Sequence, residues 1–167
     1  SNKNIGLEIS SVIEKTIKNV KFCKTCGNFT TFDICELCSD AKRDNSIICV
    51  VEEQKDMLAI EETKVYKGLY HILMGAINPL EGKNPDRLKF RELEMRLNDT
   101  NLKEVLIATN PTVDGDSTYL FLVAMLSKYP IKISRIATGI PAGGSLEYSD
   151  QTTLSKAITG KVYVSNL

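Results

Sequence analysis

Four cysteines at positions 23, 26, 35 and 38 form the pattern C-x2-C-x8-C-x2-C. The stretch that carries them, FCKTCGNFTTFDICELC, is short and polar, so it has too little apolar surface for a core of its own and must be cross-linked. Two C-x-x-C knuckles can bring their thiolates to one tetrahedral ion at about 2.3 Å. Each two-residue spacer lets backbone amides point at the sulfurs, and Gly27 after the first pair suits the sharp reversal a knuckle needs. An all-sulfur set favours zinc over magnesium or calcium, with iron the other metal it accepts. Two disulfides are the other reading. They are rare in a reducing compartment, and SNKNIGLEISSVIEK lacks the basic start and apolar core of an export signal, so the cytoplasm is expected. A redox C-x-x-C would open a helix of a βαβ unit, whereas these pairs come as a duplicate in a polar loop. With all positions filled by sulfur the zinc is structural, one per chain, contributing on the order of 10 kcal/mol to local folding. The module is expected to clip an N-terminal helix to the domain that follows.

That helix is read from Ile5, Ile9, Val12, Ile13, Ile17 and Val20, which recur at steps of three and four. Its other face carries Lys3, Glu8, Glu14, Lys15 and Lys18, a solvated face or a nucleic-acid contact. Beyond the cysteines, IICVV reads as a strand buried on both faces, with Cys49 a small buried hydrophobe inside it. QKDMLAIEE has the helical period, VYKGLYHIL reads as a strand, and RLKFRELEMRLN as a helix. EVLIAT is a second buried strand, STYLFLVAMLSKY a helix ending at Pro130, and KISRIA a third strand. DQTTLSKAI is a last helix with Asp150 as its N-cap and Gly160 beyond its end. Strands alternating with helices predict an α/β protein with a parallel sheet and helices on both faces.

Composition narrows the chemistry. Twenty-one Lys+Arg balance twenty-one Asp+Glu, so any DNA contact must be local. The single His, at 71, would have to serve any Ser-His-Asp or Cys-His system, and among its apolar neighbours it reads as a satisfied core residue. No apolar run approaches the ~20 residues of a membrane span. Ser1-Asn2 in place of an initiator Met reads as a processing scar or the edge of something longer.

Acidic residues gather where the strands end. Glu52 and Glu53 follow IICVV, Asp56 lies a helical turn beyond Glu52, and Asp114 and Asp116 follow EVLIAT. The carboxyl edge of a parallel sheet is where ligands bind, and carboxylates there are suited to a divalent metal. VVEEQKD and ATNPTVDGDS resemble the Toprim family of topoisomerases and primases, with Glu52 at that family's strand-end glutamate. The resemblance departs at the two aspartates that hold magnesium, replaced here by Asn110 and Thr112, neutral groups that cannot supply the lost charge. Glu52 as general acid/base with Asp114 or Asp116 as metal ligands would make a Toprim DNA-processing enzyme, the alternative reading.

The full order of motifs, the cysteine module, VVEEQKDMLAIEET, YKGLYHILMGAINPLEG, IATNPTVDGDST and RIATGIPAGGSLEYSDQTTLSKAI, resembles the RecR family of bacterial recombination mediators. That resemblance implies DNA repair without catalysis, action with RecO and RecF to help load RecA on single-stranded or gapped DNA, and a homo-oligomer, either a dimer or a tetrameric ring. It divides the chain into an N-terminal helix at 1–22, a four-cysteine zinc finger at 23–38, a Toprim domain at 46–141 and a C-terminal extension at 142–167 that carries oligomerisation. Family members begin with a helix-hairpin-helix module, of which a single helix stands here, so ring closure and intrinsic DNA binding are in question. Lys15, Lys18, Lys21, Lys24 and Arg43 are the candidate phosphate contacts, since a local basic face releases counterions whatever the net charge. Glu52, Asp56, Asp114 and Asp116 are expected to form one acidic surface for a basic partner or a weak Mg2+. Gly139, Gly143 and Gly144 lack the lysine and spacing of a nucleotide loop and read as positive-φ turns, with a DNA or partner contact the other reading.

Overall fold

The computed structural model describes residues 2–162, so the expectations for Ser1 and for 163–167 lie outside the described residues. The chain divides into two compact units, one ending at Ser134 and one beginning at Arg135.

In the first unit, helix α1 (Asn2–Asn19) leads into a hairpin of β1 (Lys21–Phe22) and β2 (Phe29–Thr30), then the short α2 (Glu36–Ser39). The sheet follows as β3 (Asp44–Val51), α3 (Gln54–Glu62), β4 (Gly68–Ile72), α4 (Phe90–Arg96), β5 (Glu104–Ala108), α5 (Val113–Leu126) and β6 (Lys132–Arg135). Strand order is β4-β3-β5-β6, and β3 runs parallel to both neighbours, pairing Val50 with His71 on one side and Ile107 on the other.

The β-branched run in β3 is central because side chains alternate between faces and both faces here are covered. Ile48, Val50, Val105 and Ile107 pack with Leu93 of α4, Leu97 just beyond its end, and Leu122 and Leu126 of α5. Cys49, Val51, Tyr70 and Ile72 turn the other way, against Met57 and Ile60 of α3. The expected helices on both faces are therefore present, set by a period of two in the strands.

Three helices differ from expectation, and the strands read over VYKGLYHIL and KISRIA are shorter, at Gly68–Ile72 and Lys132–Arg135. Helix α4 is shorter because Leu88 is extended (ψ 158°), which separates a 3-10 turn at Pro85–Arg87 from the helix. Helix α5 starts earlier, at Val113 rather than Ser117, because Thr112 Oγ1 accepts the Gly115 amide at 3.1 Å and draws VDGD into its first turn. On α1 the apolar stripe is present but uncovered: Ile5, Ile9, Val12, Ile13 and Ile17 are each more than half exposed. Its residues 4–20 are all exposed, and the chain passes from it directly into the cysteine hairpin.

The second unit holds a 3-10 turn at Leu146–Tyr148 and helix α6 (Gln151–Thr159), capped by Asp150, whose carboxylate accepts the Thr153 amide at 2.9 Å.

Candidate metal centre and acidic edge

The β1–β2 hairpin and α2 bring the four cysteines together. All four sulfurs lie within 4.8 Å of one another, with Cys23, Cys26 and Cys35 buried and Cys38 half-buried. The Asn28 amide donates to Cys26 Sγ at 3.4 Å and the Cys35 amide to Cys23 Sγ at 3.3 Å, so the amides that point at these sulfurs come from beyond the first pair and from the second pair rather than from the two-residue spacers. Gly27 adopts φ +81°, and a Cβ there would lie 3.2 Å from the Ile72 carbonyl, so both its conformation and the close approach of β4 require glycine.

Without a metal the four thiols cannot all ionise. A hydrogen bond from Cys38 holds Cys26 down to about 5, while the same bond pushes the Cys38 thiol up and burial pushes Cys35 up to about 11. One thiolate is kept at the expense of protons on its neighbours, the behaviour of crowded like charges that lack a cation. A divalent ion supplies that cation, and a closed tetrahedral sulfur set with no open position suits structural zinc. Cys49 lies apart and fully buried, its thiol pushed up to about 12 by desolvation, as a core residue should be.

The module is fastened to the sheet. The Ile72 amide donates to the Cys26 carbonyl at 2.8 Å, and Gln54 Nε2 to the Gly27 carbonyl at 3.2 Å. The outer edge of β4 is thereby paired instead of open.

The acidic residues at the strand ends have partners of their own. Glu52 is 7% exposed and fully engaged: Oε1 accepts the Asn110 amide at 2.8 Å and Oε2 accepts Asn110 Nδ2 at 2.7 Å. Asp56 closes a capping box at the start of α3, its carboxylate accepting the Glu53 amide at 2.9 Å. Asp114 accepts from Asn78 Nδ2 at 2.8 Å, and Asp116 stands in the first turn of α5. Among the described residues the four cysteines are the only cluster of three or more His, Cys, Asp or Glu placed to hold a metal. Nothing in the arrangement supports Mg2+. Glu52, Asp56 and Asp114 thus each have a local hydrogen-bond partner, and no metal cluster joins the acidic residues among the described residues.

Asn110, noted in the sequence only as a lost magnesium ligand, is the partner that engages Glu52. Gly115 makes the contact feasible: a Cβ there would lie 2.0 Å from the Asn110 carbonyl oxygen and 2.8 Å from Glu52 Oε1.

The basic residues divide as well. Arg43 is committed inside the chain, bonded to the Gly68 carbonyl at 2.9 Å and paired with Glu61. Lys21 and Lys24 converge on Asp33, which they hold down to about 2, leaving one excess positive charge on this trio. Lys18 pairs with Glu14 on α1, where Lys15 is also exposed. Of the loop glycines in the second unit, Gly143 takes a positive φ (+80°), while Gly139 and Gly144 do not, so only one of the three is the turn residue expected. No helix among the described residues is long and apolar enough to cross a membrane.

Comparison with known proteins matches three consecutive family descriptions: the RecR four-cysteine zinc finger domain over residues 20–40, the Toprim domain over 46–137 and the RecR C-terminal region over 139–162. Among similar proteins, "Recombination protein RecR" of Moorella thermoacetica is 48% identical over 159 residues, covering 95% of this chain and 78% of that protein. Those of Tropheryma whipplei and Clostridium perfringens are 45% and 43% identical over 157 residues, each covering 94% of this chain and 79% of theirs. A four-cysteine module fastened to a parallel sheet whose Toprim glutamate is bonded to an asparagine, matched in order along nearly the whole chain, places this protein in the RecR family.

Proposed function

We propose that this chain is a non-enzymatic recombination mediator of bacterial DNA repair, acting with RecO and RecF to help load RecA on single-stranded or gapped DNA. The observation that carries the reading is the state of Glu52. A Toprim enzyme needs that carboxylate beside metal-bound aspartates, and here it is buried and spent on both nitrogens of Asn110. The relatives' name, "Recombination protein RecR", supports the recombination role. In this reading Cys23, Cys26, Cys35 and Cys38 hold one structural zinc per chain, and the working compartment is the bacterial cytoplasm. Residues 46–141 form the Toprim scaffold, and residues 142–167 and the apolar stripe of α1 take part in self-association. DNA contact falls to Lys15, Lys18, Lys21 and Lys24, the exposed basic residues on α1 and around the cysteine module.

The test uses labelled gapped DNA coated with single-strand-binding protein. With Mg2+ or Mn2+ the strands are expected to stay intact at all protein concentrations, and RecA loading is expected to accelerate only when RecO is also present. Cleavage or joining that disappears in Glu52→Gln would establish the Toprim enzyme instead. Intact DNA with no RecO-dependent acceleration would remove the mediator role.

A further inference from the structure

The chain has five phenylalanines and no tryptophan. Phe90 of α4 and Phe121 of α5 pack on each other, their ring centroids 4.7 Å apart. The other three, Phe22, Phe29 and Phe32, stand in the cysteine module and are 49%, 55% and 65% exposed. The module has no interior to receive them, since its core consists of the cysteines and Leu37.

Phe22 and Phe29 are arranged rather than scattered. They are partners across the β1–β2 ladder, so both project from one face of the hairpin. Their rings stack, with centroids 5.3 Å apart and planes inclined by 27°. The Lys89 ammonium lies over the Phe22 ring, 5.5 Å from its centroid. Lys89 reaches it from the sheet side, its amide held by the Leu73 carbonyl at 3.0 Å. Lys21 and Lys24 flank Phe22 along the chain and share the carboxylate of Asp33, so their two charges are only half offset.

The lysines decide what such a face can take. Protein–protein interfaces are enriched in aromatic residues but depleted of lysine. A nucleic-acid strand offers phosphates to ammonium groups and base faces to phenyl rings. In a duplex those base faces are already stacked on one another, so the single strand is the form that presents them.

We propose that Phe22 and Phe29 form a base-stacking platform for single-stranded nucleic acid, with Lys89, Lys21 and Lys24 supplying its phosphate contacts. The proposal rests on the reading that the cysteine module contacts DNA. It goes beyond that reading by giving the two rings the bases and adding a cation from the sheet.

The test uses the zinc-loaded full chain, labelled oligothymidylate and, as control, a duplex of the same length. Fluorescence anisotropy at low salt should show single-strand affinity lowered about five- to a hundred-fold in Phe22→Ala and in Phe29→Ala, and within a few-fold of wild type in Phe29→Tyr. Duplex affinity should not change in any of them. Lys89→Gln should reduce the slope of log affinity against log salt by about 0.7. Because the chain has no tryptophan, Phe29→Trp introduces one indole, whose fluorescence the single strand should quench and the duplex should not. Wild-type single-strand affinity in both alanine variants would overturn the platform, leaving a lysine-only contact if RecO-dependent RecA loading is intact and a protein-docking face if it is lost. Equal losses for single strand and duplex would overturn it too. Should an alanine variant lose its zinc, Phe29→Leu decides, since it keeps apolar bulk without a π-face, and wild-type affinity there would overturn the proposal. Failure of the wild-type chain to bind either DNA would instead overturn the reading that this module contacts DNA.

Discussion

His71 occupies the one position where a lone imidazole meets the sheet core, and its bonds fix its protonation. Its Nε2–H donates to the Lys89 carbonyl at 2.8 Å, leaving Nδ1 as the acceptor for Arg96. Burial, reinforced by the positive charge of Arg96, holds its pKa down to about 3. The unfolded chain therefore binds a proton near pH 6.5 that the folded chain refuses until about pH 3, so this residue's contribution is complete above pH 6.5 and is lost as pH falls towards 3. His71→Gln, with a donor and an acceptor but no titration, should flatten the pH dependence of the urea-unfolding free energy between pH 6.5 and 4. An identical slope in the two proteins would show that His71 is not the titrating group. The core role of His71 was legible from its apolar neighbours. The fate of Glu52 was not, because a sequence shows which acid ends a strand but not that Asn110, 58 residues later, will fold back on it.

Among the elements, hydrophobic period fixed identity and local chemistry fixed the ends. IICVV and QKDMLAIEE fall within β3 and α3, and EVLIAT matches β5 but for its last residue, because their patterns match elements covered on one or both faces. The start of α5 escaped that logic, since NPTVDGDS has no apolar period and its helicity depends on the Thr112 cap. The acid-Gly-acid string therefore serves packing: its glycine lets the first turn of α5 close on the Asn110 carbonyl and Glu52. Gly115→Ala would force a Cβ to 2.0 Å from that carbonyl oxygen, so either α5 or the 109–112 turn must shift. The expected cost is about 3 kcal/mol or more, the upper end of ordinary substitutions, read as a fall of roughly 6 °C or more in unfolding temperature. A Gly115→Ala protein melting within about 2 °C of wild type would show that this turn is not held as tightly as the geometry requires.

At the scale of the whole molecule the sequence declared the parts but not their attachment. The cysteine spacing foretold a cross-linked module, and the resemblance foretold the sheet beside it. That the module would dress the edge of β4, while α1 stayed uncovered, depends on backbone contacts that no residue pattern encodes. The attachment implies that metal and sheet edge are coupled. The module's interior consists of its cysteines and Leu37, and Leu37 also packs against the α3 face of the sheet. Removing the metal would leave like-charged or protonated sulfurs in place of a cross-link, which so small a cluster cannot offset. The central ladder is a separate matter, because β3 and β5 are buried between two larger apolar clusters that include no metal ligand. Chelation at neutral pH should therefore release residues 20–40 and the outer edge of β4 before the sheet. In hydrogen exchange the Ile72 amide, whose acceptor is the Cys26 carbonyl, should lose protection by at least about tenfold while the amides of β3 and β5 keep theirs. Simultaneous loss at all of these amides would mean that zinc holds the first unit together as one cooperative body. Unchanged protection at Ile72 would mean that the hairpin stays docked on β4 without its metal.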